Sequence, residues 1–256
     1  MGDSITEGWT GHFYHNPESR VQGAFSVFQS FFSKRNGGKY EGLPQGIAGD
    51  TIPALLWRIQ NGEIGTCQTF QERTTTTPFP VFWVLIGTND LGNTGCSPEI
   101  IIVGIVRIVE EILIKQPSAL VVVHGLLPRT FDRSVFLMQS KGKSPVLWPV
   151  IQTINAKLAK YAAKRNRVEY FESNAFFKEN TVFENHNNEL RIDHVLMTDY
   201  LHPSAAGYRK YGAEIVQKLD DIYADPKNIH KAEDESQTQI PGDDKDDTED
   251  DDSEGR

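Results

Sequence analysis

Apolar positions along this chain follow two alternating rhythms. Val21, Ala24, Phe25, Phe28, Phe31 and Phe32 recur at helical spacing and predict an amphipathic helix over 21–32. A short strand is expected near 40–43. Residues 51–60 read as a second helix, with Thr51 at the N-cap and Pro53 early enough to be tolerated. The continuous apolar run 81–86 predicts a strand covered on both faces. Ser97-Pro98-Glu99 then opens a helix with a cap, an early proline and an early acid. Strands are expected over 119–127 and 168–172, and helices over 148–165 and 203–223. Segments 62–80, with its Thr74-Thr75-Thr76-Thr77 run, and 131–145 read as loop insertions.

Strands alternating with helices predict an α/β fold, a three-layer α/β/α arrangement around a parallel sheet. Sites in such sheets collect at the carboxyl ends of the strands. At 256 residues the chain fits one large domain or two small ones, long enough for a real core.

Charge changes the picture only at one end. The formal net charge is -9, but residues 232–256 hold 12 acids against 2 basic residues, leaving the remainder close to neutral. The expected organisation is a folded unit over 1–225 and a disordered acidic tail over 226–256. A body without a basic stripe argues against nucleic acid as a partner. No apolar run is long enough to span a bilayer; the most apolar stretch, 100–114, is broken by Gly104, Arg107, Glu110 and Glu111 and reads as a core helix. Cys67 and Cys96 make neither a disulfide framework nor a metal cluster. His12, His15, His124, His186, His194 and His230 show no metal-ligand spacing and are assigned structural or solvent roles. Trp57, Trp83 and Trp148 are assigned to core packing, and Trp9 to the core or a pocket wall.

Two short motifs carry chemistry when taken together. Gly2-Asp3-Ser4 puts a hydroxyl in a tight turn, and Asp199-Tyr200-Leu201-His202-Pro203 puts an acid three residues before a histidine. A serine needs an adjacent base to attack a carbonyl at neutral pH. His202 is the candidate base for Ser4, and Asp199 the group that orients and charges the imidazole. Residues three apart in a helical turn are neighbours, and Pro203 suits the start of a helix. Gly46-Ile47-Ala48-Gly49-Asp50-Thr51 and Gly87-Thr88-Asn89-Asp90 are further small-residue turns, read either as turns alone or as holders of oxyanion donors. Asp3, Asp50 and Asp90 are expected to brace backbone amides.

Four blocks in this order resemble the GDSL or SGNH hydrolase family over residues 1–220. The resemblance implies a Ser4–His202–Asp199 triad, with an oxyanion hole made by the Ser4 and Gly49 amides and the Asn89 side chain. It implies a flavodoxin-like strand order, 2-1-3-4-5, and no metal or organic cofactor. The family places a buried strand before Gly-Asp-Ser, whereas only Met1 stands there; the expectation is an N-terminally truncated chain lacking its first strand. Five lost apolar side chains at about 1.5–3 kcal/mol each would rival the stability of a whole domain. The compartment stays open, with the cytoplasm favoured.

Leu56-Trp57-Arg58-Ile59-Gln60-Asn61-Gly62-Glu63 and Gly125-Leu126-Leu127-Pro128-Arg129 further resemble the catalytic subunits of cytosolic platelet-activating-factor acetylhydrolase. The resemblance implies a short-chain acyl esterase, an acetylesterase first of all, acting on a small-molecule, lipid or sugar ester; a homodimer stays open. The alternatives are a lysophospholipase or thioesterase of the same fold, and a catalytically inactive interaction module.

Overall fold

The structure, a computed structural model, describes residues 1–65, 79–130, 147–172, 177–182 and 188–228. The acidic tail from 229 onward, Cys67, His186, His230 and most of both expected insertions lie outside the described residues.

Gly2 is flanked by two parallel bridges, one to Gly46 and one to Leu85. Gly2 N–H donates to Gln45 O, Ile47 N–H to Gly2 O, and Leu85 N–H to Met1 O. Helix α1 (Ser4–Glu7) follows at once. Next comes a hairpin of two-residue strands, β1 (His12–Phe13) and β2 (Asn16–Pro17), antiparallel with His12 opposite Pro17. Helix α2 (Ala24–Phe32) begins after Gly23, whose φ of 84° ends the preceding 3₁₀ turn, so the helix expected from residue 21 starts three residues late. The expected strand over 40–43 is absent; pairing falls instead on the single bridge at Gly46, beyond Pro44, which has no N–H to give a ladder.

Helix α3 (Ile52–Gln60) matches its expected span. Strand β3 (Val81–Val84) leads to the short helix α4 (Thr88–Gly92). Helix α5 (Pro98–Lys115) starts under the Ser97 hydroxyl, which accepts from Ile100 N–H. Strand β4 (Leu120–His124), helix α6 (Trp148–Ala162) and strand β5 (Val168–Phe171) follow. A second hairpin, β6 (Lys178–Val182) with β7 (Asn188–Ile192), is one that the apolar pattern did not suggest. The last helix among the described residues is α7 (Ala205–Ala224), capped by the Ser204 hydroxyl on Gly207 N–H rather than begun by Pro203.

Strands β3, β4 and β5 are parallel and in that order, with Val81 opposite Leu120 and Val121 opposite Val168. Adding the two bridges of Gly2 gives the order Gly46 segment, Gly2, β3, β4, β5. This is the flavodoxin-like order expected, with Met1 and Gly2 in the place of its first strand.

Side chains alternate across the pleat. On one face Trp83, His124 and Phe171 pack on one another, and the last two meet the ring of Tyr211 from α7. Toward the other face, α5 packs on α3, α6 and β4, and α6 packs on β4 and β5. Gly104 lets α3 and α5 approach: a Cβ there would stand 2.6 Å from Ile52 Cγ2. Val121, Val122 and Val123 are fully buried, and each such side chain stabilises the fold by about 1.5–3 kcal/mol. Trp9 belongs to the core, ringed by Phe28, Phe32, Tyr208 and Tyr211. Trp57, expected inside, is 64 % exposed. Among the described residues no helix is long and apolar enough to cross a membrane.

Candidate active site

The turn after Gly2 is forced by space. A Cβ on Gly2 would lie 2.0 Å from the Leu85 carbonyl oxygen, so the chain enters α1 through the one residue that fits. Asp3 caps that helix, its Oδ1 accepting from Ile5 N–H at 2.9 Å. Ser4 is the first helical residue, 6 % exposed, and its Oγ lies 2.8 Å from His202 Nε2. On the other side of the ring, His202 Nδ1 lies 2.6 Å from Asp199 Oδ2.

Asp199 is itself built into a turn. Its Oδ1 accepts from Leu201 N–H at 3.0 Å and His202 N–H at 2.7 Å, while Tyr200 takes a left-handed φ of 62°. Burial pushes the Asp199 carboxyl up, but the hydrogen bond and charge of the His202 ring and the two backbone donors outweigh it, holding the group well below the usual carboxylate range. Phe13 lies against the imidazole with ring centroids 4.8 Å apart.

Gly49 and Asn89 lie on adjoining segments. Gly49 has a φ of 82°, which favours glycine. Asn89 Nδ2 donates to Asp50 O at 2.8 Å, and Asn89 Oδ1 accepts from Asn93 Nδ2 at 3.1 Å. That arrangement orients the amide, and among the described residues its second N–H has no partner. Among the described residues, the backbone N–H groups of Ser4 and Gly49 take no partner.

The acids around the site behave as braces. Asp90 receives Ile52 N–H on both oxygens, at 3.1 and 3.0 Å, so it caps α3 from a distance while Thr51 makes no side-chain cap. Asp50 pairs with Arg58, Nη2 to Oδ2 at 2.7 Å, rather than with an amide. Asp3 is fully buried, among the described residues its Oδ2 has no hydrogen-bond partner, and burial pushes its carboxyl up to about 7. The Arg129 guanidinium, buried nearby, donates to Thr88 O at 2.6 Å and so braces the turn that carries Asn89.

Residue patterning missed four neighbours of the site: Glu7, Phe13, Tyr14 and Arg20. An acid in a first helical turn and an arginine near a hairpin look like ordinary surface choices, and two-residue strands show no alternation to detect. Among the described residues, no cluster of three or more His, Cys, Asp or Glu side chains could hold a metal. Cavities of about 460 and 330 Å³ line α6 and β5, and neither is lined by Ser4 or His202.

The GDSL-like Lipase/Acylhydrolase family model matches residues 1–210. The alpha2 subunit of platelet-activating factor acetylhydrolase IB from Gallus gallus is 41% identical over 83 residues, covering 32% of this chain and 31% of that protein. The alpha1 subunit from Bos taurus is 31% identical over 164 residues, covering 64% of this chain and 56% of that protein. The chain thus spans 31% and 56% of the length of these two relatives. Among solved structures, a GDSL-like lipase from Bacteroides thetaiotaomicron superimposes with a TM-score of 0.56 at 22% identity, covering 86% of both chains. An acetyl xylan esterase does so with a TM-score of 0.52 at 16% identity, over 85% of this chain and 96% of that one. Those likenesses support the three-layer fold, and with a family model running from the Gly2 turn into the helix after His202, the chain belongs to the GDSL-like Lipase/Acylhydrolase family.

Proposed function

We propose that this chain is a serine esterase that removes short acyl groups, acetyl first of all, from ester substrates. The observation that carries the reading is the unbroken chain from Ser4 Oγ through the His202 ring to Asp199, with links of 2.8 and 2.6 Å. Ser4 Oγ attacks the acyl carbonyl carbon and its proton passes to His202 Nε2. The negative charge that develops on the carbonyl oxygen is met by the Ser4 and Gly49 amides and by Asn89 Nδ2. The carbon–oxygen bond to the leaving alcohol then breaks, and His202 returns the proton to the departing alkoxide. Water repeats the sequence on the acyl-enzyme and frees Ser4. Asp199 keeps its charge throughout and stabilises the imidazolium.

The acetyl preference is supported by the names of the relatives, acetylhydrolase subunits among them, and by the sequence blocks shared with them. Turnover of p-nitrophenyl esters from acetyl to dodecanoyl tests it. A kcat/KM that falls steadily beyond butyryl is expected; a maximum at long chains overturns the acetyl assignment. Fluorophosphonate labelling tests the nucleophile, with the adduct expected on Ser4 and lost in His202→Ala. A label on any other residue overturns the triad.

A further inference from the structure

Glu7 stands three residues after Ser4 on the same short helix, yet only 3 % of it is exposed. Its two oxygens divide between amides from different parts of the chain. Oε1 accepts from His15 N–H at 2.9 Å, and Oε2 accepts from Ala48 N–H at 2.6 Å. Ala48 is the residue before Gly49. On the far side, the Asp50 carbonyl is held by Asn89 Nδ2 at 2.8 Å, and Asp50 N–H closes back on Ile47 O at 3.1 Å. The Gly49 peptide is therefore fixed from both flanks, by Glu7 on one and by Asn89 on the other. The other bond of Glu7 reaches the tip of the β1–β2 hairpin, whose Phe13 lies on the His202 ring.

A buried carboxylate is costly unless hydrogen bonds compensate it, and charge-assisted bonds to backbone amides are among the stronger ones. A solvated acid in a first helical turn would need neither burial nor these partners. We propose that Glu7 is a positioning residue for the oxyanion hole. It acts through Ala48 to hold the Gly49 N–H in place, and through His15 to hold the hairpin against His202. The inference rests on the esterase reading above and gives it a component outside the triad and the three donors.

Glu7→Gln tests this, because the two side chains match in shape while an amide nitrogen cannot accept. One of the two N–H groups then faces another donor. A small misplacement of a reacting group costs about 100-fold in rate. With p-nitrophenyl acetate, kcat per fluorophosphonate-titrated site is expected to fall about 10- to 100-fold, with KM moving less than about three-fold. The loss in the Glu7→Gln, Asn89→Ala double variant is expected to be smaller than the product of the single losses, since both act on one hole. An unchanged kcat per titrated site, or fully multiplicative losses, overturns the inference.

Amide NMR gives a readout independent of turnover. In the wild-type protein the Ala48 and His15 amides are expected downfield and slow to exchange, and in Glu7→Gln they and Gly49 shift together. Fast exchange at Ala48 in the wild type, or an unmoved Gly49 in the variant, overturns the inference. Ester turnover that survives Ser4→Ala would instead remove the Ser4 triad on which the reading rests, and the amide signals alone would then decide whether Glu7 holds the loop.

Discussion

Arg20 Nη1 donates to Asp199 Oδ2 at 3.2 Å, onto the same oxygen that lies 2.6 Å from His202 Nδ1. The guanidinium also holds Glu18 at 3.0 Å and lies over the Phe13 ring, 5.0 Å from its centre. A cation thus shares the carboxylate that supports the imidazole. Its side chain is 44% exposed, so water and salt weaken its effect.

Arg20→Gln is accordingly expected to leave kcat within about three-fold at physiological ionic strength. Asp199→Asn is expected to lower kcat by about 10⁴, by taking away the group that orients the ring and supports its charge. Steady-state kinetics of the two variants side by side check this. A loss above 30-fold in Arg20→Gln would make the arginine part of the machinery.

Asn89→Ala removes a proposed oxyanion donor and the bond to the Asp50 carbonyl. Loss of one such donor commonly costs about 10²–10³ in kcat. The expected result is a fall of that size with KM nearly constant, measured on an acetyl ester. A KM effect without a kcat effect would assign Asn89 to ground-state binding.

Gly49→Ala faces two separate obstacles. Its φ of 82° strains any residue with a Cβ, and that Cβ would stand 2.8 Å from the Tyr14 hydroxyl. The first costs about 1–2 kcal/mol; the second is relieved by a small shift of an exposed ring. Tyr14→Phe is therefore expected to recover only part of the stability and activity lost in Gly49→Ala. Full recovery in the double variant, by thermal melts and kinetics, would show that the clash alone mattered.

Two aspartates give stability opposite dependences on pH. Asp199 has a depressed folded pKa, so its contribution is present above the unfolded value of about 3.9 and is lost as pH falls below it. Asp3 is raised to about 7 by burial, so the native state binds its proton where the unfolded chain has released it. Stability from Asp3 therefore falls as pH rises from about 4 to about 7, on the order of 1 kcal/mol per unit. Asp3→Asn is expected to flatten that decline in melting temperature. A decline of unchanged slope would assign it to other groups.

The parts legible from residues alone were those with strong local signals. The strand expected over 119–127 forms over Leu120–His124, Pro98–Lys115 follows from its cap and proline, and order and spacing picked out Ser4, Asp199 and His202, which the structure brings within hydrogen-bond reach. What escaped depends on contacts between distant segments. Asp90 caps α3 from 38 residues away, so Thr51 looked like the cap. Pairing beside Gly2 falls on Gly46, in a segment with no apolar alternation, so a strand was expected a few residues early. Trp57 sits on a helix whose buried face is made by Ile52, Leu55 and Ile59, and the two-residue strands that bring Phe13 to His202 are too short to pattern.

Asp3 does more than begin a helix. The opening turn of any α-helix leaves N–H groups without intrahelical acceptors. By accepting from Ile5, Asp3 satisfies one of them and leaves the Ser4 amide open. In the proposed mechanism the nucleophile and one of the three oxyanion donors therefore arise from the same residue, Ser4. A substitution that re-aimed the cap by one position, onto Ser4, would occupy that proposed donor while the Ser4, His202 and Asp199 side chains stayed in place.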